Sequence, residues 1–384
     1  MADLTRRRIL QLTGAGLGVL ALGACTGGGS GGGGVLPPRD LPTLPWAGAP
    51  VMVDGARVGW NIYSSGAATT EHIEKMAEHR PSVIRWMVEW DRYEEAQGAP
   101  TSRYDWSSKT NYNEFFDACA ANDVMLVVQL WVKELGWWGE KEFDGKNMDW
   151  ARATTSRNYP GNVDSSYGTF VRSLYGAIRD RYQHFGADTD LISVGAFNEA
   201  DLRWQAALLK AWRGDTEINL GSRWSSGAGF WGAKWTGGYG EKWAELHQVL
   251  DGFPGVVWNN SAVGSVSDES GRVEEWIQAT DDIGRVSQLD IHKYLLQGGN
   301  TLSGMIDAID TAIDRWDAIR PSGLDFYIGE SGPSAKDSSL PFTAADRTLV
   351  QNVHAELASN YSSRFIGFIP HGSDAWTGAD PWWV

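Results

Sequence analysis

Two glutamates stand where apolar runs stop. Gly195-Ala196-Phe197-Asn198-Glu199 closes one run, and Tyr327-Ile328-Gly329-Glu330-Ser331-Gly332 closes another. A carboxylate at the end of a buried strand is costly unless something uses it. A third run ends Asp290-Ile291-His292-Lys293-Tyr294, and a fourth contains Ile84-Arg85-Trp86. Paired carboxyls with a cation, an imidazole and a phenol beside them suit acid/base and nucleophilic chemistry. One carboxyl must carry a proton to give away while the other stays ionised, and different surroundings achieve that division.

These residues need strands to aim them. Short β-rich runs lie at Val58–Ile62, Val83–Val88, Met125–Trp131, Leu191–Phe197, Val256–Asn260, Gln288–Ile291, Phe326–Ile328 and Phe365–Ile369. Helical periodicity fills the gaps at Thr70–His79, Tyr112–Asn122, Ser166–Phe185, Glu241–Leu250, Arg272–Thr280, Leu302–Arg320 and Ala344–Ser359. Thr343 precedes the last of these with Asp346 three residues on, close to a capping box. Alternating strands and helices imply parallel pairing with right-handed crossovers. Eight such strands predict a single-domain (β/α)8 TIM barrel, with both glutamates at its mouth. An open doubly wound sheet is disfavoured, because no Gly-x-Gly-x-x-Gly turn follows the first run and no Gly-Lys-Ser/Thr occurs.

Two long insertions follow strand runs, so in a barrel both lie on the face where sites are built. One, Lys133 to Asp164, carries Trp137, Trp138 and Trp150; the other, Asp201 to Gly240, carries Trp204, Trp212, Trp224, Trp231 and Trp235. The chain has 21 Trp against 12 Phe and 12 Tyr, more than a core requires. Indole faces pack on the C–H faces of sugars while the N–H serves a hydroxyl. The net charge of −15 argues against a nucleic-acid or acidic-polymer partner. Seven scattered histidines form no His-x-x-x-His or Cys cluster, so neither a metal nor a cofactor is expected. No Gly-x-Ser-x-Gly supports a serine hydrolase.

The first residues read as an address. Thr5-Arg6-Arg7-Arg8-Ile9-Leu10-Gln11 resembles a twin-arginine n-region, followed by an apolar run from Leu12 to Ala24. That run is shorter than the ~20 residues of a spanning helix. Leu22-Gly23-Ala24-Cys25 resembles a lipobox, in which Cys25 is acylated. Residues 1–25 are therefore expected to be a lipoprotein signal, 26–45 a Gly/Pro-rich tether and 46–384 the catalytic barrel. The expected location is the outer face of the cell membrane, with membrane contact through the lipid anchor alone. With Cys25 lipidated, Cys119 has no disulfide partner and is expected to be a buried thiol on a helix, in a monomeric protein.

From roughly Val58 to Trp376 the chain resembles the clan of retaining (β/α)8-barrel glycoside hydrolases, most closely the cellulase-like family 5. The resemblance rests on Asn198-Glu199 ending the fourth strand and Glu330 ending the seventh. It implies Glu199 as acid/base, Glu330 as nucleophile, Arg85 as a contact of the nucleophile, and His292 and Tyr294 as common companions. The clan usually places a Trp on the eighth strand; this chain reads Ile369-Pro370-His371-Gly372-Ser373-Asp374-Ala375-Trp376, so Trp376 is the candidate. Glycoside cleavage needs one carboxyl to protonate the leaving oxygen and one to trap the oxocarbenium-like centre. Asn198 is expected to bind the hydroxyl next to the anomeric carbon, and His292 to orient Glu199 or the substrate. Tyr294 is expected to donate to Glu330. Asn61, Glu89, Trp90, Trp131 and Glu134 are candidate subsite residues. Arg85 has a structural alternative, an ion pair with Glu89 or Asp91. The expected substrate is a β-linked polysaccharide or oligosaccharide, cut internally by double displacement. Two other readings stay open: a non-catalytic carbohydrate-binding lipoprotein, and a furanosidase on the same barrel.

Overall fold

The computed structural model describes residues 45–63, 70–89, 110–131, 166–196, 198, 247–262, 281, 284–295, 301–332, 343–370 and 381–383. Its sheet has nine strands: β1 Met52–Val53, β2 Ala56–Tyr63, β3 Val83–Glu89, β4 Met125–Trp131, β5 Ile192–Gly195, β6 Val257–Ala262, β7 Val286–His292, β8 Asp325–Glu330 and β9 Phe365–Phe368. Strands β2 to β9 pair in chain order, all parallel, and β9 pairs back onto β2, so the sheet closes into an eight-stranded barrel. This is the (β/α)8 fold that the alternation of runs predicts. Closure removes the strand edges an open sheet would expose.

The helices between them are α1 Thr70–His79, α2 Thr110–Ala121, α3 Ser166–Phe185, α4 Leu302–Ile319 and α5 Ala344–Asn360. Both α1 and α3 have the bounds read from sequence, and the Thr343/Asp346 capping box is formed at the start of α5. The expected helices over Glu241–Leu250 and Arg272–Thr280 fall largely outside the described residues. Sequence reading missed β1, which folds back on β2 through Asp54 and Gly55. Both turn residues have positive φ, 50° and 80°, as a two-residue hairpin turn requires.

The barrel strands β2 to β9 are largely buried on both faces, which is why their residues read as apolar runs and not as an alternation. On β3, Ile84, Trp86 and Val88 point outward into the main core between sheet and helices. Trp86 lies between 5.6 and 5.8 Å, ring to ring, from Tyr112, Phe115 and Phe116 of α2. Cys119 of the same helix is fully buried and free, as expected, and burial pushes its thiol far up. Alternate residues point inward, where Val83, Met125, Val127, Tyr327 and Ile369 form a separate apolar cluster inside the barrel. Residues further along the same strands are polar, and they build the site.

Near the seam where the barrel closes, residues 381–383 return to β2. The Trp382 indole donates to the Gly59 carbonyl at 3.0 Å, and Trp383 stacks on Trp60 with centroids 5.4 Å apart. Among the described residues no helix is long and apolar enough to cross a membrane.

Candidate active site

Arg85 organises the site. It follows Val83 by two on β3, so its side chain takes the same inward direction. It is fully buried, and all three of its nitrogens are used. Nε donates to Asp290 Oδ2 at 2.9 Å. Nη1 donates to Asn61 Oδ1 at 2.9 Å and to Glu330 Oε1 at 2.8 Å. Nη2 donates to Asn198 Oδ1 at 2.6 Å and meets His292 Nε2 at 3.0 Å. One guanidinium therefore joins residues from β2, β7, β8 and the segment just after β5. Burial opposes its charge, but Asp290 and Glu330 outweigh burial and hold the proton more firmly than usual.

Glu330 is the last residue of β8, and a register shift between Ile291 and His292 sets it opposite His292 on β7. Shifts of this kind re-aim side chains at strand ends. Its Oε1 takes the Arg85 bond, and its Oε2 accepts from Tyr294 Oη at 2.8 Å. Two donors on two oxygens favour the ionised carboxylate. His292 Nδ1 lies 3.5 Å from the same Oε2. Its Nε2 faces Arg85 Nη2 at 3.0 Å and Asp290 Oδ1 at 3.4 Å, so the imidazole sits among all three charged groups.

Asn198 is held from two sides. Its backbone N–H donates to the Leu130 carbonyl at 3.0 Å, and its Oδ1 is fixed on Arg85. The amide thus turns its N–H2 end away from the guanidinium. Asn61 is similarly locked: its Nδ2 donates to the carbonyls of Gly329 and Ile369 at 2.7 and 3.1 Å.

Beneath these groups lies a polar layer to which sequence reading gave no role. Gln129 Nε2 donates to Asp290 Oδ2 at 2.6 Å and to Asn259 Oδ1 at 2.5 Å, and Asn259 Nδ2 donates to Ser193 Oγ at 2.9 Å. Two glycines make room for it. A Cβ on Gly195 would sit 1.8 Å from Gln129 Oε1, and one on Gly329 would sit 1.6 Å from Asp290 Oδ1. Stepping back two residues from His292 along β7 was the available signal, since it lands on Asp290 on the same face.

The structure therefore brings Arg85, Asn198, Glu330, His292, Tyr294 and Asn61 together. Among the described residues the carboxylates paired with Arg85 are Asp290 on β7 and Glu330 on β8, both far from β3 in sequence. Glu89 and Trp131 end β3 and β4, but their side chains lie outside the described residues, as do Asp91, Glu199, Trp376, Trp90, Glu134, both Trp-rich insertions and Cys25. Among the described residues no three His, Cys, Asp or Glu side chains are grouped to hold a metal ion. The described cluster holds two desolvated carboxylates on one buried cation, and Glu330 is the one with a donor on each oxygen.

No protein-family model matches the chain, and no curated protein matches it in sequence. Solved structures do match in fold. A GH5-4 broad-specificity endoglucanase from an uncultured bacterium is 16% identical with a TM-score of 0.51, covering 84% of this chain and 89% of its own. An endo-1,4-β-xylanase from Caldicellulosiruptor owensensis is 14% identical with a TM-score of 0.49, over 83% of this chain and 85% of its own. A glycoside hydrolase family 5 enzyme from Prevotella bryantii B14 is 11% identical with a TM-score of 0.48, over 85% and 92%. At 16% identity the first likeness shows the fold alone, a (β/α)8 barrel.

Proposed function

We propose that this protein is a retaining glycoside hydrolase acting on β-linked polysaccharide or oligosaccharide, with Glu330 as nucleophile and Glu199 as acid/base. The observation that carries this reading is the convergence of Arg85 and Tyr294 on the two oxygens of Glu330, with Asn198 bound to the same guanidinium. The residue after Asn198 is Glu199, so the acid/base candidate follows directly from a position the site holds in place. The chemistry follows from the roles. Glu330 attacks the anomeric carbon as Glu199 protonates the departing glycosidic oxygen, giving a glycosyl-enzyme ester. Water, deprotonated by Glu199, then attacks the same carbon and releases Glu330, so the configuration is retained. An internal cut in a polymer is supported by the two Trp-rich insertions and by the fold shared with a broad-specificity endoglucanase. Substituting Glu330→Ala and Glu199→Ala should each lower turnover by orders of magnitude with the fold intact. Azide should partly rescue Glu199→Ala on a substrate with a good leaving group, giving a product of retained configuration. Full activity in either variant would sink the assignment.

We further infer that Cys25 is lipidated and that the barrel is tethered at the outer face of the membrane. The support is the Arg-rich start, the Leu22-Gly23-Ala24-Cys25 ending and the glycine tract Gly27–Gly34. In detergent phase separation the full chain should enter the detergent phase and Cys25→Ser should stay aqueous. Equal partitioning of the two would refute the anchor.

A further inference from the structure

We propose that Asp290 is a positioning residue of this site: it anchors Arg85 and, by sharing that cation, tempers its grip on Glu330. The proposal rests on the reading of Glu330 as nucleophile. Asp290 is fully buried on β7, below His292 in the barrel, so it meets no substrate and acts through its neighbours.

The geometry has two parts. The first is anchorage. A guanidinium is planar and carries a single Nε–H, so the bond made there fixes the orientation of the whole fork. That bond goes to Asp290 Oδ2, which a second donor, Gln129 Nε2, holds in place at 2.6 Å. Gln129 also donates to Asn259, Asn259 to Ser193, and Ser193 Oγ to Gln288 Oε1 at 2.7 Å. Asp290 thus ends a hydrogen-bonded chain that crosses four strands, and it occupies a slot that exists only because residue 329 has no side chain.

The second part is charge. Two carboxylates share one buried guanidinium, and His292 stands between them with Nε2 3.4 Å from Asp290 Oδ1 and Nδ1 3.5 Å from Glu330 Oε2. Burial would raise the Asp290 carboxyl, but Arg85 and His292 together outweigh it and hold Asp290 below the ordinary carboxylate range. Asp290 is therefore a standing negative charge wherever the enzyme works. It offsets part of the Arg85 field at Glu330, which keeps that carboxylate from being held too firmly to attack. The other titratable groups facing the pair are Tyr294 and Tyr327, the latter a phenol that burial pushes far up. Lys293, whose ammonium burial disfavours, lies between His292 and Tyr294 in the chain. The inward side chains named on β2, β4, β5 and β6 (Asn61, Gln129, Ser193 and Asn259) carry no charge, β9 has no ionisable residue, and Glu199 is outside the described residues.

The variant Asp290→Asn removes the charge and keeps an oxygen for Arg85 and Gln129. The acid limb of its kcat/KM profile should move to lower pH by about one unit, since removing a nearby negative charge favours ionised Glu330. With it kcat should fall roughly tenfold while KM stays within about twofold, because the lost effect acts on the nucleophile and not on binding. Asp290→Ala removes the anchor as well, and kcat/KM should fall by about a further hundredfold as Arg85 loses its fixed orientation. Should the Ala variant fail to fold, the near-isosteric Asn variant decides alone. A folded Asp290→Asn enzyme whose acid limb stays at the wild-type pH, or moves upward, overturns the proposal. Glu330→Ala is assayed alongside: an active Glu330→Ala enzyme removes the nucleophile reading itself. An inactive one, with an unmoved limb in Asp290→Asn, removes only the role given to Asp290.

Discussion

Arg85 and Trp86 are neighbours on one strand, both are fully buried, and they face opposite media. Trp86 points outward into a layer of aromatic rings, where α2 supplies Tyr112, Phe115 and Phe116. Arg85 points inward, onto two carboxylates, two amide oxygens and an imidazole. The outward contact is non-directional and is repaid in stability by area removed from water. The inward one is directional, and a buried ion pair rarely stabilises a fold more than a well-packed apolar filling would. Equal burial therefore hides two different purposes. The outer face of the barrel holds the fold together, and the inner face spends part of that stability on orienting a charge.

Substitutions at these two positions are the sharpest way to separate the faces. The largest effect is expected for Arg85→Met, which should lower kcat/KM by about a thousandfold, the scale of losing an aimed electrostatic donor. It should also destabilise by about 3–5 kcal/mol near neutral pH, because Asp290 and Glu330 are left as buried charges without their cation. In the wild type the depressed Asp290 carboxyl contributes stability that is present above its unfolded value, about 3.9, and fades as the pH falls through the folded one. In Arg85→Met the sign reverses, since protonation relieves the unpaired carboxylates. Denaturant unfolding of this variant should show part of the loss recovered on acidification toward pH ~5, where groups raised by burial become neutral. A variant with wild-type kcat/KM would erase the distinction from the inward side. Next comes Trp86→Ala, which should cost about 3–5 kcal/mol by leaving a cavity against α2. Its kcat/KM per folded molecule should stay within about threefold of wild type, since no contact to the reacting groups is lost. Trp86→Phe should cost less, about 1–2 kcal/mol, as a smaller ring in the same aromatic nest. Loss of turnover in a folded Trp86→Phe enzyme would blur the two faces.

The fold was legible because parallel strands covered on both faces leave long apolar runs, and every one of the eight runs became a barrel strand. The helix bounds at Thr70–His79 and Ser166–Phe185 were legible for a related reason: their apolar stripe keeps one period from end to end. The two-residue strand β1 escaped, being too short to show any period, although the Asp54-Gly55 turn marked it. Within the site, residues at strand ends were found because polar types there break the apolar pattern. Gln129 was not singled out, and Asp290, though within one of those strand ends, was given no role, for the opposite reason. Each sits inside a run that otherwise reads as core, and the partner that explains Asp290 lies 205 residues away. Acids close to Arg85 in sequence, Glu89 and Asp91, drew attention instead. Contacts across a barrel leave no mark on local spacing.

The pairing of β2 with β9 has a consequence for how the chain is made. Residues 56–63 emerge from the ribosome early, yet their second neighbour is not synthesised until residues 365–368. Until then the growing sheet keeps two unpaired edges, which invite pairing with other chains. Trp382 and Trp383 are added later still, and they fasten onto Gly59 and Trp60 beside the newly formed seam. Closure and its latch thus wait until all eight barrel strands have been made. A nascent chain that stalls short of them presents the cell with a sticky, open ribbon and not with a nearly finished barrel.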